Sequence, residues 1–236
     1  MKIEILFPEF CNLFGDMSNM RYLKMCLPKA EFIETALEEE PFFVKENVNL
    51  IYMGPMTERT QEKVIQKLEK YKERIKELIE QNTVFLITGN AIEIFGEYIE
   101  NEDGSKIEAL NLFPVHAKRD MMNRHNSFMI GKYEEIEVVG FKSQFTMMYG
   151  ENTKDYFLEV EAGIGINPDT KLEGIKKNNF IGTYLIGPIL ILNPLLTKKI
   201  LQMMGIEEPK IALEKETMQA YEERLKELKK LNAKNS

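Results

Sequence analysis

Apolar runs alternate with amphipathic stretches over the first 90 of the 236 residues. Residues 3–7, 49–53 and 84–88 are short and rich in Ile, Leu, Val and aromatic side chains, which is typical of buried β-strands. Residues 54–59 lead into one long predicted helix that ends at about Asn82, because apolar residues recur there every three or four positions: Val64, Leu68, Tyr71, Ile75, Leu78 and Ile79. This alternation predicts an α/β fold with a mostly parallel sheet covered by helices.

The second half of the chain carries a different pattern. Short apolar or alternating runs at residues 107–113, 127–132, 136–143 and 156–160 are separated by turn residues, which predicts a β-rich segment within the same domain. Residues 181–185 predict one more strand. Asn193-Pro194 then opens a predicted helix through about Met204.

The last part of the chain, residues 206–236, is predicted to be a charged helical extension of a domain that spans residues 1–205. An apolar stripe runs among its Glu and Lys residues and consists of Met218, Tyr221, Leu225, Leu228 and Leu231. Two interpretations stay open. The stripe packs against its own domain, or it belongs to an interaction helix for a partner or a second copy.

The composition is that of a globular protein with one sizeable domain. Hydrophobic residues make up 44% of the chain and charged residues 29%. The formal net charge of −7 gives no reason to expect nucleic acid or an anionic membrane as a partner. Cys11 and Cys26 alone form no disulfide framework, and neither a signal peptide nor a membrane span is recognisable. We therefore expect a cytoplasmic protein.

Thr88 stands at the most informative turn of the sequence. The apolar run at residues 84–88 meets Gly89 and then a helical pattern that ends near Tyr98. A strand, a tight turn and a helix form the elbow that presents a nucleophile above the sheet in many hydrolases. A threonine at the tip is a poor nucleophile unless a strong base stands beside it.

Two motifs relate the chain to a known family. Residues 182–188 read Gly-Thr-Tyr-Leu-Ile-Gly-Pro, and residues 87–90 read Ile-Thr-Gly-Asn. They resemble the Gly-Thr-Tyr-Leu-His-Gly-Pro stretch and the Ile-Cys-Gly-Gly elbow of class I glutamine amidotransferases of the cobyric acid synthase type, and most closely of the amidotransferase subunits of lipid II isoglutaminyl synthases. The loop at residues 12–19 is similar to a third family segment, and in it Asp16 or Ser18 is expected to cap the following helix.

The resemblance implies a flavodoxin-like α/β fold and, in the closest relatives, pairing with a Mur-ligase-like subunit that uses ATP and receives ammonia. The family's catalytic residues are replaced here, because Thr88 stands in place of the nucleophilic cysteine and Ile186 in place of the histidine base. Isoleucine cannot accept a proton. The oxyanion loop begins Gly54-Pro55 where the family has consecutive glycines, and Pro55 has no N–H to donate.

Two further positions bear on a substrate site. Gln144 stands where the family has a second histidine, whereas Arg124 matches an arginine implicated in the family's substrate site. Arg124 can bind a carboxylate bidentately, although a solvated loop arginine is an equally good interpretation. His116 and His125 fall on no family base position and lack metal-ligand spacing, so we expect no metal and no cofactor.

These losses together predict a protein that is inactive as a glutaminase and acts as a binding or regulatory subunit of a Mur-ligase-like partner. Two alternatives stay open. One is a divergent amidotransferase or amide hydrolase that uses Thr88, and the other is a sensor that binds a small amino acid or peptide. The sequence does not show whether the pathway is that of the cell wall or that of cobalamin. It does not identify the oligomeric state either.

Overall fold

Strands and helices alternate along the first part of the computed structural model, which describes residues 1–235. The strands are, in chain order, β1 (Lys2–Leu6), β2 (Glu31–Thr35), β3 (Leu50–Met53), β4 (Val84–Thr88), β5 (Tyr98–Glu100), β6 (Lys106–Glu108), β7 (Val115–Arg119), β8 (His125–Tyr133), β9 (Ile136–Gln144), β10 (Thr146–Gly150), β11 (Leu158–Ala162), β12 (Leu172–Glu173), β13 (Ile175–Lys177) and β14 (Phe180–Thr183). The α-helices are α1 (Ser18–Cys26), α2 (Glu58–Glu69), α3 (Lys72–Glu80), α4 (Ile189–Leu192), α5 (Pro194–Met203) and α6 (Glu214–Asn235).

A six-stranded sheet forms the centre of the fold. Its strand order is β13-β14-β4-β3-β1-β2, and all neighbouring strands are parallel except the antiparallel pair β13 and β14. Successive residues of a strand point to opposite faces of the sheet, so strands that are apolar throughout need cover on both sides. Helices provide this cover on both faces. Ile87 belongs to the same buried cluster as Leu68 of α2, and Leu86 belongs to a second cluster with Leu23 of α1. The predicted α/β fold with a mostly parallel sheet is confirmed.

The long helix expected after residues 54–59 and up to about Asn82 is two helices, so the prediction of one continuous helix was wrong. Thr57 caps α2 by accepting a hydrogen bond from the Thr60 N–H (3.3 Å). The chain leaves helical geometry at Tyr71, whose φ is −115° and ψ is 9°. There the Tyr71 ring packs edge-on against Phe43, with 6.3 Å between ring centroids. The break therefore lets both helices keep their apolar sides on the same core.

The segment after Gly89 also differs from its prediction. In place of an α-helix reaching Tyr98, the chain forms a 3-10 helix over Gly89–Phe95 and then starts β5 at Tyr98. The reason is burial, since Ala91, Ile92, Ile94 and Phe95 are all buried and leave no polar helix face for solvent. The apolar spacing alone did not distinguish this buried turn from an amphipathic helix.

The β-rich second half forms two antiparallel-rich sheets. One has the order β10-β7-β5-β6 and the other β12-β11-β8-β9. Of the strands predicted there, the run at residues 107–113 is reduced to β6 and that at residues 156–160 lies two residues later, as β11. The main chain of Ile186 bridges to Phe141 of β9, with the Ile186 N–H donating to the Phe141 carbonyl (3.0 Å). This bridge joins the β-rich part to the end of the parallel sheet.

The C-terminal helix α6 packs on α4, α5 and β8. Tyr221 is buried and its hydroxyl donates to the Glu137 carbonyl (2.8 Å), whereas Leu231 is 45% exposed. The stripe thus packs against its own domain at one end and is open at the other. No helix among residues 1–235 combines the length and the apolar character needed to cross a membrane. The proposed domain boundary at residues 205 and 206 stays a prediction.

Candidate functional site

The turn after β4 is made by Gly89 and not by Thr88. Thr88 has extended backbone angles (φ −120°, ψ 153°), whereas Gly89 has a φ of 60°, in the left-handed region that favours glycine. Thr88 is fully buried, with 0% of its surface exposed. The expectation that an elbow lifts the Thr88 side chain out of the sheet is therefore wrong.

The Thr88 hydroxyl is instead part of a buried network around Asp16. It donates to Asp16 Oδ2, which also accepts from the Tyr52 hydroxyl (2.7 Å), while Asp16 Oδ1 accepts from the Gly187 N–H (3.0 Å). Burial raises the pKa of the Asp16 carboxyl, and these hydrogen bonds oppose the rise. Asp16 therefore ties β3, β4 and the loop after β14 together. Neither Asp16 nor Ser18 caps α1, because that helix has no side-chain cap.

Apolar groups fill the space where the turn, the oxyanion loop and the base position meet. A Cβ atom added at Gly89 would lie 2.6 Å from Pro55 Cβ and 3.1 Å from Ile186 Cγ2. The first N–H after Pro55 belongs to Met56 and donates to Asn90 Oδ1 (3.0 Å), and Asn90 Nδ2 donates back to the Met56 carbonyl (2.8 Å). The loop amide nearest the turn is thus already satisfied within the protein.

Gly54 precedes this loop in a position where only glycine fits. A Cβ atom there would lie 2.6 Å from the Cys11 carbonyl oxygen and 2.9 Å from the Tyr52 hydroxyl. Gly54 therefore allows two backbone segments to approach closely. This contact is structural and involves no group available to a substrate.

A cavity of about 190 Å³ opens at this edge of the sheet. It brings together four of the residues predicted to form the site, namely Pro55, Arg124, Gln144 and Ile186, and it is also lined by Gly89. Thr88 and Gly54 do not line it. The parallel sheet and the β-rich segment both contribute to its walls, because Gln144 ends β9.

Arg124 is the cationic group of the cavity lining. Its guanidinium lies over the Phe145 ring, 4.4 Å from the centroid, and makes no hydrogen bond or ion pair with any residue that the structure describes. Gln144 Nε2 donates to the Thr146 carbonyl (2.6 Å), while the buried Gln144 Oε1 has no partner within the described chain. An unpaired guanidinium of this kind can bind a carboxylate.

A second buried carboxylate, Glu93, lies just behind the cavity. Its oxygens accept from Gln61 Nε2 (2.8 Å) and the Tyr184 hydroxyl (3.0 Å). Arg119 donates to Gln61 Oε1 (2.8 Å) and so makes no direct bond to Glu93. Burial raises the pKa of Glu93 to about 7, although both hydrogen bonds and the charge of Arg119 lower it. Glu93 is not recognisable as a site residue from the sequence, because the predicted helix would place a glutamate on a solvated face.

A buried ion pair between Lys142 and Glu173 lies next to the strand that leads to Ile186. Lys142 Nζ lies 2.5 Å from Glu173 Oε2, and both side chains are fully buried. Glu173 Oε1 also accepts from the Thr183 hydroxyl (2.7 Å) and the Tyr184 N–H (2.9 Å). The pair therefore fixes the end of β14, the strand that leads to Ile186. The only sequence signal was a lysine inside an otherwise apolar strand pattern.

The two histidines lie away from the turn. His116 stacks between Tyr98 and Tyr149, with ring centroids 4.7 and 5.9 Å away, and His125 hydrogen-bonds Ser127 (2.9 Å). Within residues 1–235, no group of three or more His, Cys, Asp or Glu side chains is arranged to hold a metal ion.

The chain is similar to curated proteins that act in an assembly. It is 26% identical over 194 residues to the lipid II isoglutaminyl synthase (glutamine-hydrolyzing) subunit GatD of Staphylococcus aureus, covering 81% of this chain and 79% of that protein. It is 23% identical over 197 residues to the GatD subunit of Streptococcus pneumoniae, covering 82% and 76% of the two chains.

Solved structures show the same fold at low sequence identity. The PurLQS structure from Thermotoga maritima matches with a TM-score of 0.53 at 11% identity, covering 86% of this chain and 96% of that one. A crystal structure of a glutamine amidotransferase matches with a TM-score of 0.55 at 11% identity, covering 86% and 99%. Residues 2–193 match the CobB/CobQ-like glutamine amidotransferase domain. The chain thus belongs to the CobB/CobQ-like glutamine amidotransferase family.

Proposed function

We propose that this chain is a catalytically inert subunit with an amidotransferase fold, which binds or regulates a Mur-ligase-like partner. The observation that carries the proposal is that apolar atoms of Pro55 and Ile186 lie against Gly89 in the cavity lining. Glutamine hydrolysis needs a thiolate, a base and amide donors facing the oxyanion. None of these three side chains is a thiol or a base, Pro55 has no N–H to donate, and the adjacent Met56 N–H is already bonded to Asn90.

The partner half of the proposal is supported by the relatives. The matched proteins from Staphylococcus aureus and Streptococcus pneumoniae are named as subunits of a synthase that acts on lipid II. A subunit that keeps its fold but loses its chemistry still has the surfaces through which it contacts other chains. Cell-wall chemistry is accordingly the pathway we propose for the assembly.

The alternative of an enzyme that uses Thr88 has weaker support. The Thr88 hydroxyl is fully buried and donates to Asp16, so a substrate in the cavity would not reach it. Ammonia release from glutamine by the purified chain, with and without the ligase-type protein, tests the choice. We expect no release above background in either case. Release that disappears in Thr88→Ala would support the enzyme instead.

A matched pair of substitutions tests the geometry of the former active site. Gly89→Cys places a thiol towards the cavity, whereas Thr88→Cys places it towards Asp16, each with Pro55→Gly and Ile186→His to make room and supply an imidazole. We expect iodoacetamide to label the introduced thiol in the folded Gly89→Cys variant but not in the folded Thr88→Cys variant. Labelling of Cys11 and Cys26 is subtracted in both. Equal labelling of both variants would contradict this assignment of the elbow tip.

A ligand sensor is the second candidate, and the unpaired Arg124 at the cavity favours it. A small amino acid or peptide would bind through its carboxylate without turnover. At about 100 times the dissociation constant, a ligand adds roughly 2.7 kcal/mol to the free energy of unfolding. Thermal unfolding with glutamine or glutamate, compared between the wild type and Arg124→Gln, measures this effect. No shift with either compound in the wild type would count against the sensor.

A further inference from the structure

An open apolar groove of about 660 Å³ lies beside the cavity. It is lined by Phe14 from the loop before α1, Phe141 from β9 and Leu228 from α6, and also by Ile186 and Leu192. Phe14 and Ile186 also line the cavity, so the two concave surfaces are continuous. Anything seated in the groove would therefore adjoin the cavity mouth.

Two phenylalanines make this groove unusual for a free surface. Phe14 is 48% exposed and Phe141 is 45% exposed, although both are large apolar side chains. Phe14 also has a φ of 58°, a left-handed conformation that is uncommon and unfavourable for a bulky residue. Clustered exposed aromatic side chains around a concave surface are typical of protein interfaces.

The charge of the groove indicates what it would accept. Arg224 is the charged residue among those described in its lining, and no acidic side chain joins it there. Arg224 as a residue is partly buried, and within residues 1–235 its side chain makes no hydrogen bond or ion pair. Arg124 at the neighbouring cavity is unpaired as well. A complementary occupant brings apolar side chains next to a carboxylate, since a guanidinium without an ion-pair partner favours a charged acceptor across an interface.

We infer that this groove is where the ligase-type partner docks, through an apolar segment that carries an Asp or Glu to meet Arg224. The inference rests on the proposed function and adds the surface that performs it. Phe141 and Arg224 would be its main anchors, because aromatic residues and arginines carry most of the energy of such interfaces. A docked segment would also close the cavity from solvent.

The experiment measures the affinity of the full chain for the purified Mur-ligase-type protein of the same organism by isothermal titration calorimetry. Phe141→Ser and Arg224→Glu test the groove. Phe10→Ser is the matched control for the first, because Phe10 is 44% exposed and does not line the groove. Lys226→Glu is the control for the second, because it lies on α6 outside the groove and changes the net charge equally.

We expect each groove variant to weaken binding by at least ~30-fold and each control by less than ~3-fold. Unchanged melting temperatures show that the variants are folded. Equal binding by all four variants and the wild type would overturn the assignment of the groove as the docking site, but not the proposed partner. No binding by the wild type overturns the proposed function itself. Self-association of the chain that Phe141→Ser abolishes would assign the groove to a second copy, and so overturn this inference.

Discussion

At the scale of single residues, Glu93 is a carboxylate held away from water without a direct cationic partner. Its pKa of about 7 lies above the ordinary value of 4.5, and burial is the main cause. A raised carboxylate pKa means that the folded state resists ionisation, so stability is lost as the pH rises from about 4.5 to about 7. The loss amounts to about 3 kcal/mol, at 1.36 kcal/mol per pH unit.

Glu93→Gln removes this ionisation. As the pH is raised from 4.5 to 8, the free energy of unfolding of the variant is therefore expected to rise by about 3 kcal/mol relative to that of the wild type. Urea unfolding of both proteins at several pH values measures the difference. Glu108→Gln is a control, because Glu108 is exposed in β6. A difference between wild type and Glu93→Gln that stays constant with pH would show that Glu93 does not titrate in this range.

Thr88 is predicted to be a structural residue. Thr88→Val keeps the shape of the side chain but removes the donor to Asp16, so the buried carboxylate loses a hydrogen bond. We expect a loss of about 2 kcal/mol in the free energy of unfolding. Thr88→Ser keeps the hydroxyl, gives up one methyl group and should cost only about 1 kcal/mol. Chemical denaturation measures both, and a Thr88→Val protein as stable as the wild type would contradict the role.

The identities of single residues were readable from the sequence, but their directions were not. Short motifs predict Thr88 and Ile186 at the family's cysteine and histidine positions, whereas the structure places Gly89 at the turn. That Thr88 points towards Asp16 depends on pairing between β4, β3 and β14, which links residues far apart in the chain. The informative local signal was Gly89, since a glycine directly after a strand often takes a positive φ.

At the scale of elements, the Lys142–Glu173 pair joins β9, β12 and the end of β14. Glu173→Gln leaves the Lys142 ammonium buried without its counter-ion, which is expected to cost about 3–5 kcal/mol. The double variant Lys142→Met with Glu173→Gln should regain most of this loss, because no charge remains unpaired. Denaturant unfolding of the two variants and the wild type measures both effects. A double variant less stable than Glu173→Gln would contradict the argument.

Elements were predictable where one face is solvated and poorly predictable where both are buried. The helices α2 and α3 show a clear amphipathic spacing, and only their break at Tyr71 escaped notice. The buried 3-10 helix at Gly89–Phe95 has no solvated polar face, and its apolar spacing predicts an α-helix that does not form. The unpredicted edge strand β2 mixes exposed and half-buried residues and lacks a distinct pattern.

At the scale of the whole molecule, the cavity lies where the parallel sheet meets the β-rich segment. Gly89 and Ile186 follow strands of the first, and Gln144 and Thr146 belong to the second. Sequence patterns predicted both parts but not their junction, because it depends on the bridge between Phe141 and Ile186. Ligand sites of open α/β sheets lie beyond the carboxyl ends of the strands, as this cavity does.

The parallel sheet and the β-rich segment should also differ in how readily they unfold locally. The central strands β3 and β4 are paired on both sides and consist of buried residues, whereas β6 is an edge strand with Lys106 and Glu108 exposed. Amides in β3 and β4 are therefore expected to exchange only through global unfolding, and those of β6 through local opening. Hydrogen exchange followed by mass spectrometry separates the two groups of amides. Only the exchange rates of the β3 and β4 amides should follow the total free energy of unfolding. Protection of β6 equal to that of β4 would mean that the β-rich segment unfolds together with the parallel sheet. A docked partner at the groove would then be expected to stabilise both parts as one unit.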